Sequence, residues 1–500
     1  REMGFGGFFM HSRIGLNTPY LGKDFFKAVR NCIDWAKQNQ MYAGLYDEDL
    51  WPSGYCAGKV TQDHPEYRKK KLIWSAAEIT GAVPKEEFER NGGILFLKSY
   101  RIRLNAQGNL LLDGQQQNTQ PGMEEHLEKP DAVNSRGIEE SKRIEGAEET
   151  ITRYAYLATQ EQEPGYCKPV YADTLNPDAV KYFLETTHQV YQKEVGAEFG
   201  KTAFSMFTDE PAFADKENQK NAWDDRTKSV PWTTDFVDTF YETYGFDILE
   251  CLPELFYERA DQAISYARYC YHDHVATRFE KAYFQTIGNW CRENGILFTG
   301  HVLYEDTLAL QNRMTGDAMR LYPHFDIPGM DLLFNTIEFN TAKQVQSIVH
   351  QYGKEGMMSE LYGVTDWDFD FRGHKFQGDW QAALGVTLRV PHLSWVSMEG
   401  PAKRDYPASI QYQSPWYREY SCIEDHFARV CSVMTRGNPV VKIGVVHPME
   451  SYWVLYGTEE ATSQARRELD EKFRNLADWL LKGHLDFNYI SEALLPGQYR

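Results

Sequence analysis

The chain has 500 residues, too many for one average domain but suited to one large barrel of about 250 to 400 residues plus part of another domain. Its 53 Lys and Arg against 72 Asp and Glu give a net charge of −19, with no basic stripe to offset it, so nucleic acid and anionic membranes are poor partners. Hydrophobic residues make up 42%, and no apolar run approaches the roughly 18 residues that span a bilayer, which predicts a soluble, folded chain.

The eight cysteines lie far apart, with no CxxC motif and no Cys/His cluster. This spacing argues against a disulfide framework or a zinc site. Reduced, buried thiols favour a cytoplasmic location. The chain starts at Arg1 without an initiator Met or a signal peptide, so we expect it to be an excised fragment that has lost any targeting segment.

Short apolar runs alternate with amphipathic stretches from Phe5 to about Gly400, as expected of repeated βα units around a parallel sheet. Asn176 and Pro177 suit the N-cap and first position of a helix that Gly196 ends. Helices are predicted at about 23–38, 177–195, 262–293, 342–352 and 379–388.

Eight predicted strands each end at a polar or titratable residue. The strands are 6–10, 41–46, 169–172, 203–208, 296–300, 327–330, 357–359 and 393–398. The residues that follow them are His11, Asp47, Asp173, Asp209 with Glu210, His301, Asp331, Glu360 and Glu399. Polar groups at the carboxyl ends of eight strands are typical of a (β/α)8 TIM barrel, whose catalytic groups lie on the βα loops.

The predicted barrel domain spans residues 1–438 and carries two insertions. The insertion at about 92–165, after the second strand, contains a predicted hairpin, a polar mobile loop and a further strand. The insertion at about 214–261 is predicted to cover the barrel mouth as a lid. Residues 439–500 resemble the start of a doubly wound α/β domain, and we expect the natural protein to continue past Arg500 because two strands make no stable parallel sheet.

Two glutamates at predicted strand ends are the candidate catalytic pair. Glu210 lies in the FTDEP segment at 207–211, and Glu360 directly follows a later strand. A carboxyl group at the barrel mouth beside Phe207 and Phe213 is expected to have a raised pKa and to act as a general acid. Glycoside cleavage needs a second carboxylate, which attacks the anomeric carbon or activates water. Helix capping or ion pairing is the structural alternative for both residues.

Other polar and aromatic residues near strand ends are candidates for sugar binding. Asp331 and Glu399 are alternative bases, whereas Asp47 and Glu48 also suit a cation site or a turn cap. The histidines are either hydroxyl ligands or structural hydrogen-bonding residues, and aromatic faces in loops can stack on pyranose C–H surfaces. The predicted substrate-binding residues are His11, Arg13, Asp47, Glu48, Trp51, Asp173, Asp209, His301, Asp331, Trp395, Glu399, Arg404 and Tyr406.

Several motifs of other enzyme classes are missing from the sequence. It has no P-loop, no GxGxxG after a strand, no GxSxG elbow and no HExxH. We therefore expect hydrolysis without an organic cofactor, and the spacing nominates no metal ligands.

Three segments resemble bacterial glycoside hydrolases related to the family 106 α-L-rhamnosidases: GGFFMHSRIGL at 6–16, YDEDLWPSG at 46–54 and FTDEP at 207–211. The resemblance covers the barrel region. It implies a glutamate acid matching Glu210, a glutamate base best matched by Glu360, inversion at the anomeric carbon, and calcium that helps to bind the sugar. Retaining clan A glycosidases are also similar, although they usually carry Asn where this chain has Asp209. The C-terminal region resembles the amidotransferase-like domain of some β-galactosidases.

The predicted function is exo-acting glycoside hydrolysis that removes a terminal sugar, with α-L-rhamnose the favoured sugar and a glycoside or oligosaccharide the expected partner. A retaining β-glycosidase such as a β-galactosidase and a non-catalytic sugar-binding barrel are the alternatives. The sequence leaves the sugar, the linkage, the stereochemistry and any homo-oligomer open.

Overall fold

A computed structural model describes residues 1–79, 81–112, 148–161, 170–214, 216–261 and 264–498. A seven-stranded parallel sheet curls into a nearly closed barrel surrounded by helices. In spatial order, which is also chain order, its strands are β1 (Gly7–Phe9), β2 (Tyr42–Tyr46), β3 (Ser205–Thr208), β4 (Leu297–Gly300), β5 (Ile327–Leu332), β6 (Met357–Leu361) and β7 (Val386–Pro391). The predicted α/β barrel class is confirmed, but the count of eight strands is not, because the described residues supply seven.

The predicted strand at 169–172 is absent from the described part of the sheet, since β2 pairs directly with β3. The backbone groups of this segment are used outside the barrel: Lys69 N–H donates to the Tyr171 carbonyl at 2.9 Å and Asp173 N–H to the Tyr67 carbonyl at 2.8 Å. Residue 169 itself lies outside the described residues. These contacts hold the segment against residues 67–69, in the connection after β2, instead of between two barrel strands.

The last barrel strand begins seven residues before its predicted position, at Val386 instead of 393. The preceding helix, predicted to reach 388, ends at Ala383, and Gly385 follows with a φ of +100° that favours glycine. The predicted strand at 393–398 is a loop, in which Val396 is 98% exposed. This shift places His392, and not Glu399, at the end of the strand.

Helices cover the outside of the barrel and fill the connections between its strands. They are Lys23–Gln38, Lys59–Asp63, Lys85–Asn91, Pro177–Thr186, His188–Val195, Phe236–Tyr244, Ile248–Cys251, Tyr266–Phe279, Thr286–Glu293, Leu308–Met314, Ala318–Leu321, Phe339–Tyr352, Phe371–Ala383, Ser421–Met434, Met449–Val454, Glu459–Lys482 and Leu495–Gln498. The helix predicted at 177–195 is divided at Thr187, and a π-helical segment, Glu280–Gln285, interrupts the one predicted at 262–293. The predicted N-cap is present, because the Asn176 side chain accepts a bond from Asp178 N–H.

A second, four-stranded antiparallel sheet combines both predicted insertions with the segment after β2. Its strands, in spatial order, are Ile94–Leu104, Glu149–Thr159, Lys70–Ser75 and Lys228–Trp232. Trp232 is buried and stacks on Phe236 with ring centroids 4.1 Å apart, so this part of the predicted lid is packed core. The predicted mobile loop at 113–147 lies outside the described residues.

The C-terminal region forms a parallel pair of short strands, Gly444–Val446 and Asn488–Ile490, beside the helix Glu459–Lys482. It packs on the barrel helix Phe339–Tyr352, where Tyr489 N–H donates to Ser347 Oγ at 2.7 Å. The division into domains at residue 438 stays a prediction. No helix among the described residues is long and apolar enough to cross a membrane.

Candidate active site

The carboxyl ends of β3 and β4 come unusually close together and bring Asp209 beside His301. A Cβ atom added at Gly300 would lie 2.0 Å from the Thr208 carbonyl oxygen, so only glycine fits there. His301 N–H donates to the same carbonyl at 3.3 Å. One residue further along β3, Glu210 has a φ of +47°, a conformation that non-glycine residues adopt mostly at turns and functional sites.

His301 is the centre of a cluster of four carboxyl groups. Its Nε2 lies 2.9 Å from Glu360 Oε2 and 3.7 Å from Asp209 Oδ1. Carboxyl oxygens of Glu210 and Asp331 and a ring nitrogen of His301 all lie within 4.8 Å of one another. Asp331 faces Glu360 across the β5–β6 register. The two predicted catalytic glutamates therefore come from β3 and β6 to flank one imidazole ring.

Burial and neighbouring charges move the pKa values of the two glutamates in opposite directions. Burial, reinforced by the charge of Asp209, raises the pKa of Glu210 to about 7, which keeps a proton on this carboxyl group near neutrality. Burial also opposes ionisation of Glu360, but the hydrogen bond from His301 and the charge of its imidazolium hold the Glu360 pKa well below the usual value. The pKa of His301 is correspondingly raised, because its carboxylate neighbours outweigh the cost of burial.

Arg13 lies beside this cluster in a fixed orientation. Its guanidinium group donates two parallel hydrogen bonds of 2.8 Å to Asp405 and lies 3.3 Å from His392 Nε2. It also approaches Asp209 to 3.8 Å and covers the Trp51 ring at 4.4 Å from the centroid. A guanidinium held in this way presents a rigid positive charge to the site.

A buried layer beneath the site orients Asp209. Tyr46 O–H donates to Asp209 Oδ2 at 2.7 Å, and the Ser53 hydroxyl accepts from Asp209 N–H at 2.8 Å. His11 stacks on Tyr46 with ring centroids 4.0 Å apart, and burial lowers its pKa to about 3. No hydrogen-bond partner for His11 Nε2 is found in the part of the chain that the structure describes. The His11 imidazole is therefore neutral, with one buried ring nitrogen unpaired among the described residues.

Three predicted sugar ligands instead make internal contacts. Asp47 is fully buried and accepts a hydrogen bond from Ser53, and burial raises its pKa to about 7. Glu48 accepts backbone N–H bonds from Asp49 and from residues 54–57, which caps the loop after β2. Asp173 accepts the Thr233 hydroxyl at 2.6 Å on the side of the insertion.

The predicted residues after β7 are spread along a long loop. Trp395 is buried against Trp367, with ring centroids 5.1 Å apart, and Tyr406 lies with its ring 5.9 Å from Trp51. Glu399 and Arg404 are exposed. The guanidinium group in the site therefore comes from Arg13. Its carboxylate partner is Asp405, the residue that follows Arg404.

Sequence reasoning missed three residues of the site: His392, Tyr46 and Asp405. His392 Nε2 lies 3.8 Å from Glu360 Oε1, and burial lowers its pKa to about 4. The alternating apolar residues 386, 388 and 390 were the available signal for the strand that ends beside it. Tyr46 opens the 46–54 segment and Asp405 lies between the predicted residues Arg404 and Tyr406, but nothing local shows that Tyr46 meets Asp209 or that Asp405 meets Arg13.

The donor set around His301 does not match the calcium that the family resemblance implies. Among the described residues, the two groups of three candidate ligands are Asp209, His301, Glu360 and Glu210, His301, Asp331. Both include an imidazole nitrogen, whereas calcium takes six to eight oxygen ligands. Calcium binding by this chain stays a prediction.

Comparisons with known proteins agree with the barrel. No protein-family model and no curated protein matches the chain. The rhamnosidase from Novosphingobium sp. PP1Y superposes with a TM-score of 0.58 at 14% identity, over 89% of this chain and 58% of that one. Gan42B, a GH42 β-galactosidase from G. stearothermophilus, superposes with a TM-score of 0.55 at 9% identity, over 98% of this chain and 62% of that one. The β-galactosidase from Rahnella sp. R3 superposes with a TM-score of 0.54 at 10% identity, over 98% of this chain and 61% of that one.

These likenesses show that the chain has a glycoside hydrolase fold. At 9–14% identity they reach no further than the fold. The chain spans about three-fifths of the length of these structures.

Proposed function

We propose that the chain hydrolyses glycosidic bonds, with Glu210 as the general acid and Glu360 as the ionised second carboxylate. The observation that carries the proposal is the meeting of these two residues around His301, with environments that favour a protonated Glu210 and an ionised Glu360. Two carboxyl groups in opposite protonation states are what glycoside cleavage requires.

In the proposed reaction, the glycosidic C–O bond breaks while Glu210 O–H gives its proton to the leaving oxygen. Glu360 either attacks the anomeric carbon or removes a proton from the water that does so. The bonds from His301 to Glu360 and from Tyr46 to Asp209 fix the carboxylates. Arg13, whose guanidinium group lies beside the carboxylate cluster, is the residue proposed to bind sugar hydroxyls.

The favoured substrate is a terminal α-L-rhamnoside, on the strength of the family 106 resemblance, with the likeness to a rhamnosidase in agreement. A terminal β-galactoside is the second candidate, because two β-galactosidases share the fold at nearly the same TM-score. Activity on p-nitrophenyl α-L-rhamnopyranoside against p-nitrophenyl β-D-galactopyranoside separates the two, and the anomer first released, followed by NMR, separates inversion from retention. Sugar affinity without turnover of either substrate would instead favour a non-catalytic sugar-binding barrel.

The acid role of Glu210 is tested with Glu210→Gln on a series of aryl and alkyl glycosides of the sugar that the chain cleaves. Removal of a general acid is expected to slow poor alkyl leaving groups by about 10²- to 10⁴-fold, while dinitrophenyl glycosides, which need little protonation, lose much less. The measurement is kcat/KM for each leaving group. Glu293→Gln, an exposed glutamate on a barrel helix, is the matched control. Equal losses for all leaving groups, or no loss, would contradict the assignment.

A further inference from the structure

Four aromatic side chains stand on consecutive loops at the carboxyl end of the barrel. Tyr304, Phe334, Trp367 and Tyr406, here called the aromatic collar, follow β4, β5, β6 and β7 in that order. These residues are 50%, 55%, 39% and 43% exposed. Large aromatic residues normally bury most of their surface, so this arc leaves substantial apolar area in contact with water.

The backbone holds three of these aromatic residues in an unfavourable conformation. Tyr304, Phe334 and Tyr406 have φ values of +60°, +67° and +50°, and Asp366, directly before Trp367, has +69°. Bulky residues rarely adopt this left-handed region, and such strain is concentrated at ligand-binding and catalytic sites. Glycine would suit this backbone conformation better, yet aromatic residues occupy three of these positions.

Hydrogen bonds tie neighbouring collar loops to one another. Phe334 N–H donates to the Gly363 carbonyl at 2.8 Å, which joins the loops after β5 and β6. Thr365 N–H and Asp366 N–H both donate to the Pro407 carbonyl, at 2.9 and 3.1 Å, which joins the loops after β6 and β7. Trp367 also rests against buried Trp395. These contacts fix the backbones of the loops after β5, β6 and β7 relative to one another.

The collar is continuous with the candidate active site. Tyr304 lies three residues after His301, and Phe334 lies three residues after Asp331. The Tyr406 ring is 6.1 Å from the ring of His392, which approaches Glu360. A chain of sugars that leaves the site on the side of β4 to β7 would pass these rings.

We propose that the aromatic collar is a binding site for the sugar rings beyond the cleaved bond, so that the substrate is the end of an extended glycan. The inference rests on the proposed function and specifies its substrate class. Pyranose rings expose flat C–H faces that pack on aromatic rings while their hydroxyl groups stay in water, which suits half-exposed, rigid rings. A protein partner would meet the same apolar area, but it would have no reason to extend into the carboxylate cluster.

The test measures binding by the full chain carrying Glu360→Gln, so that no substrate is consumed. The probes are rhamnogalacturonan and galactan oligosaccharides of four to six sugars, with rhamnose and galactose as one-ring references, titrated by calorimetry. We expect the best oligosaccharide to bind at least about tenfold more tightly than its one-ring reference. Phe334→Ala and Trp367→Ala are each expected to reduce that ratio about threefold, since an aromatic contact is worth about two- to tenfold in affinity.

Phe376→Ala is the matched control, because Phe376 is 50% exposed on the helix Phe371–Ala383, away from the collar loops. The collar proposal is overturned if the ratio stays unchanged in both collar variants, if the control lowers it equally, or if no oligosaccharide binds better than its reference. Aryl glycoside hydrolysis by the unmodified chain is measured separately. If the unmodified chain hydrolyses aryl glycosides but the affinity ratio is unaltered in the collar variants, only the collar proposal is wrong. If the collar variants lower the ratio but no aryl glycoside is hydrolysed, only the proposed catalysis is wrong.

Discussion

Glu210 combines a raised pKa with an unusual backbone conformation. Burial beside Asp209 raises its pKa to about 7 from an ordinary value of 4.5, so folding favours the protonated form. A positive φ at the same residue indicates that the surrounding structure, and not local preference, holds it at the mouth. The buried carboxyl group and the positive φ each lower the stability of the fold, and a catalytic role for Glu210 would explain why both are present.

The pH dependence of stability tests this environment without reference to catalysis. Because the pKa of Glu210 is higher in the folded than in the unfolded chain, its contribution to the free energy of unfolding is greatest below about pH 4.5. That contribution falls as the pH rises from about 4.5 to about 7. Glu210→Gln removes that loss, so the variant is expected to gain up to about 3 kcal/mol relative to the unmodified chain between pH 5 and pH 8. Urea unfolding at the two pH values measures the gain. The same gain in Glu293→Gln, or none in Glu210→Gln, would contradict the assigned environment.

The strand pair β3–β4 is the element that sets the site geometry. Its register places Thr208 opposite Gly300, and the absent side chain at Gly300 lets the two backbones approach. The neighbouring residues, Asp209 and His301, come within 3.7 Å as a result. A side chain at position 300 would push the strands apart at the point where the catalytic cluster is assembled.

Gly300→Ala is expected to destabilise the chain by about 3 kcal/mol or more, because the added methyl group meets backbone that cannot move aside and the φ of +131° is strained for alanine. The matched control is Gly295→Ala in the same connection, where φ is +69° but a Cβ meets nothing within 4 Å, so only about 1 kcal/mol is expected. Thermal and urea unfolding of both variants measure the difference. Equal losses would show that close approach is not what glycine provides at 300.

At the scale of the whole molecule, the C-terminal region is packed into the barrel's outer layer. Trp453 is fully buried, and its ring lies 4.9 Å from the guanidinium carbon of Arg320. Arg320 in turn donates to Asp273 and Glu450 at 2.6 and 3.2 Å. These contacts join the C-terminal helix Met449–Val454 to barrel helices, so we expect both parts to unfold together.

Trp453→Ala should therefore lower the free energy of unfolding by about 3–5 kcal/mol and shift a single thermal transition that includes the barrel. Near-ultraviolet circular dichroism during heating follows the aromatic residues of both parts. Trp479→Ala is the control, because Trp479 is 64% exposed on the helix Glu459–Lys482. Two separate transitions, with only one shifted, would show that the regions fold independently.

Local patterns were enough to predict the barrel class, most of its strands and the cluster of candidate residues. Each of Asp209, Glu210, His301, Asp331 and Glu360 follows or ends an apolar run, and parallel strands bring their carboxyl ends to one edge. The segments at 169–172 and 393–398 were misassigned because short apolar runs look alike whether or not a partner strand is beside them. Whether such a run becomes a barrel strand depends on pairing with a neighbouring strand, and local sequence does not show that pairing.

The sequence by itself placed Asp209, Glu210, His301, Asp331 and Glu360 at the carboxyl ends of barrel strands, because strand periodicity and strand ends are local properties of the chain. Only the tertiary structure decided which of these groups meet. It paired Arg13 with Asp405 across 392 residues, turned Glu48 into a loop cap, and brought His392 to Glu360. It also set the opposite protonation tendencies of Glu210 and Glu360, since burial and neighbouring charges arise from contacts between segments far apart in the chain.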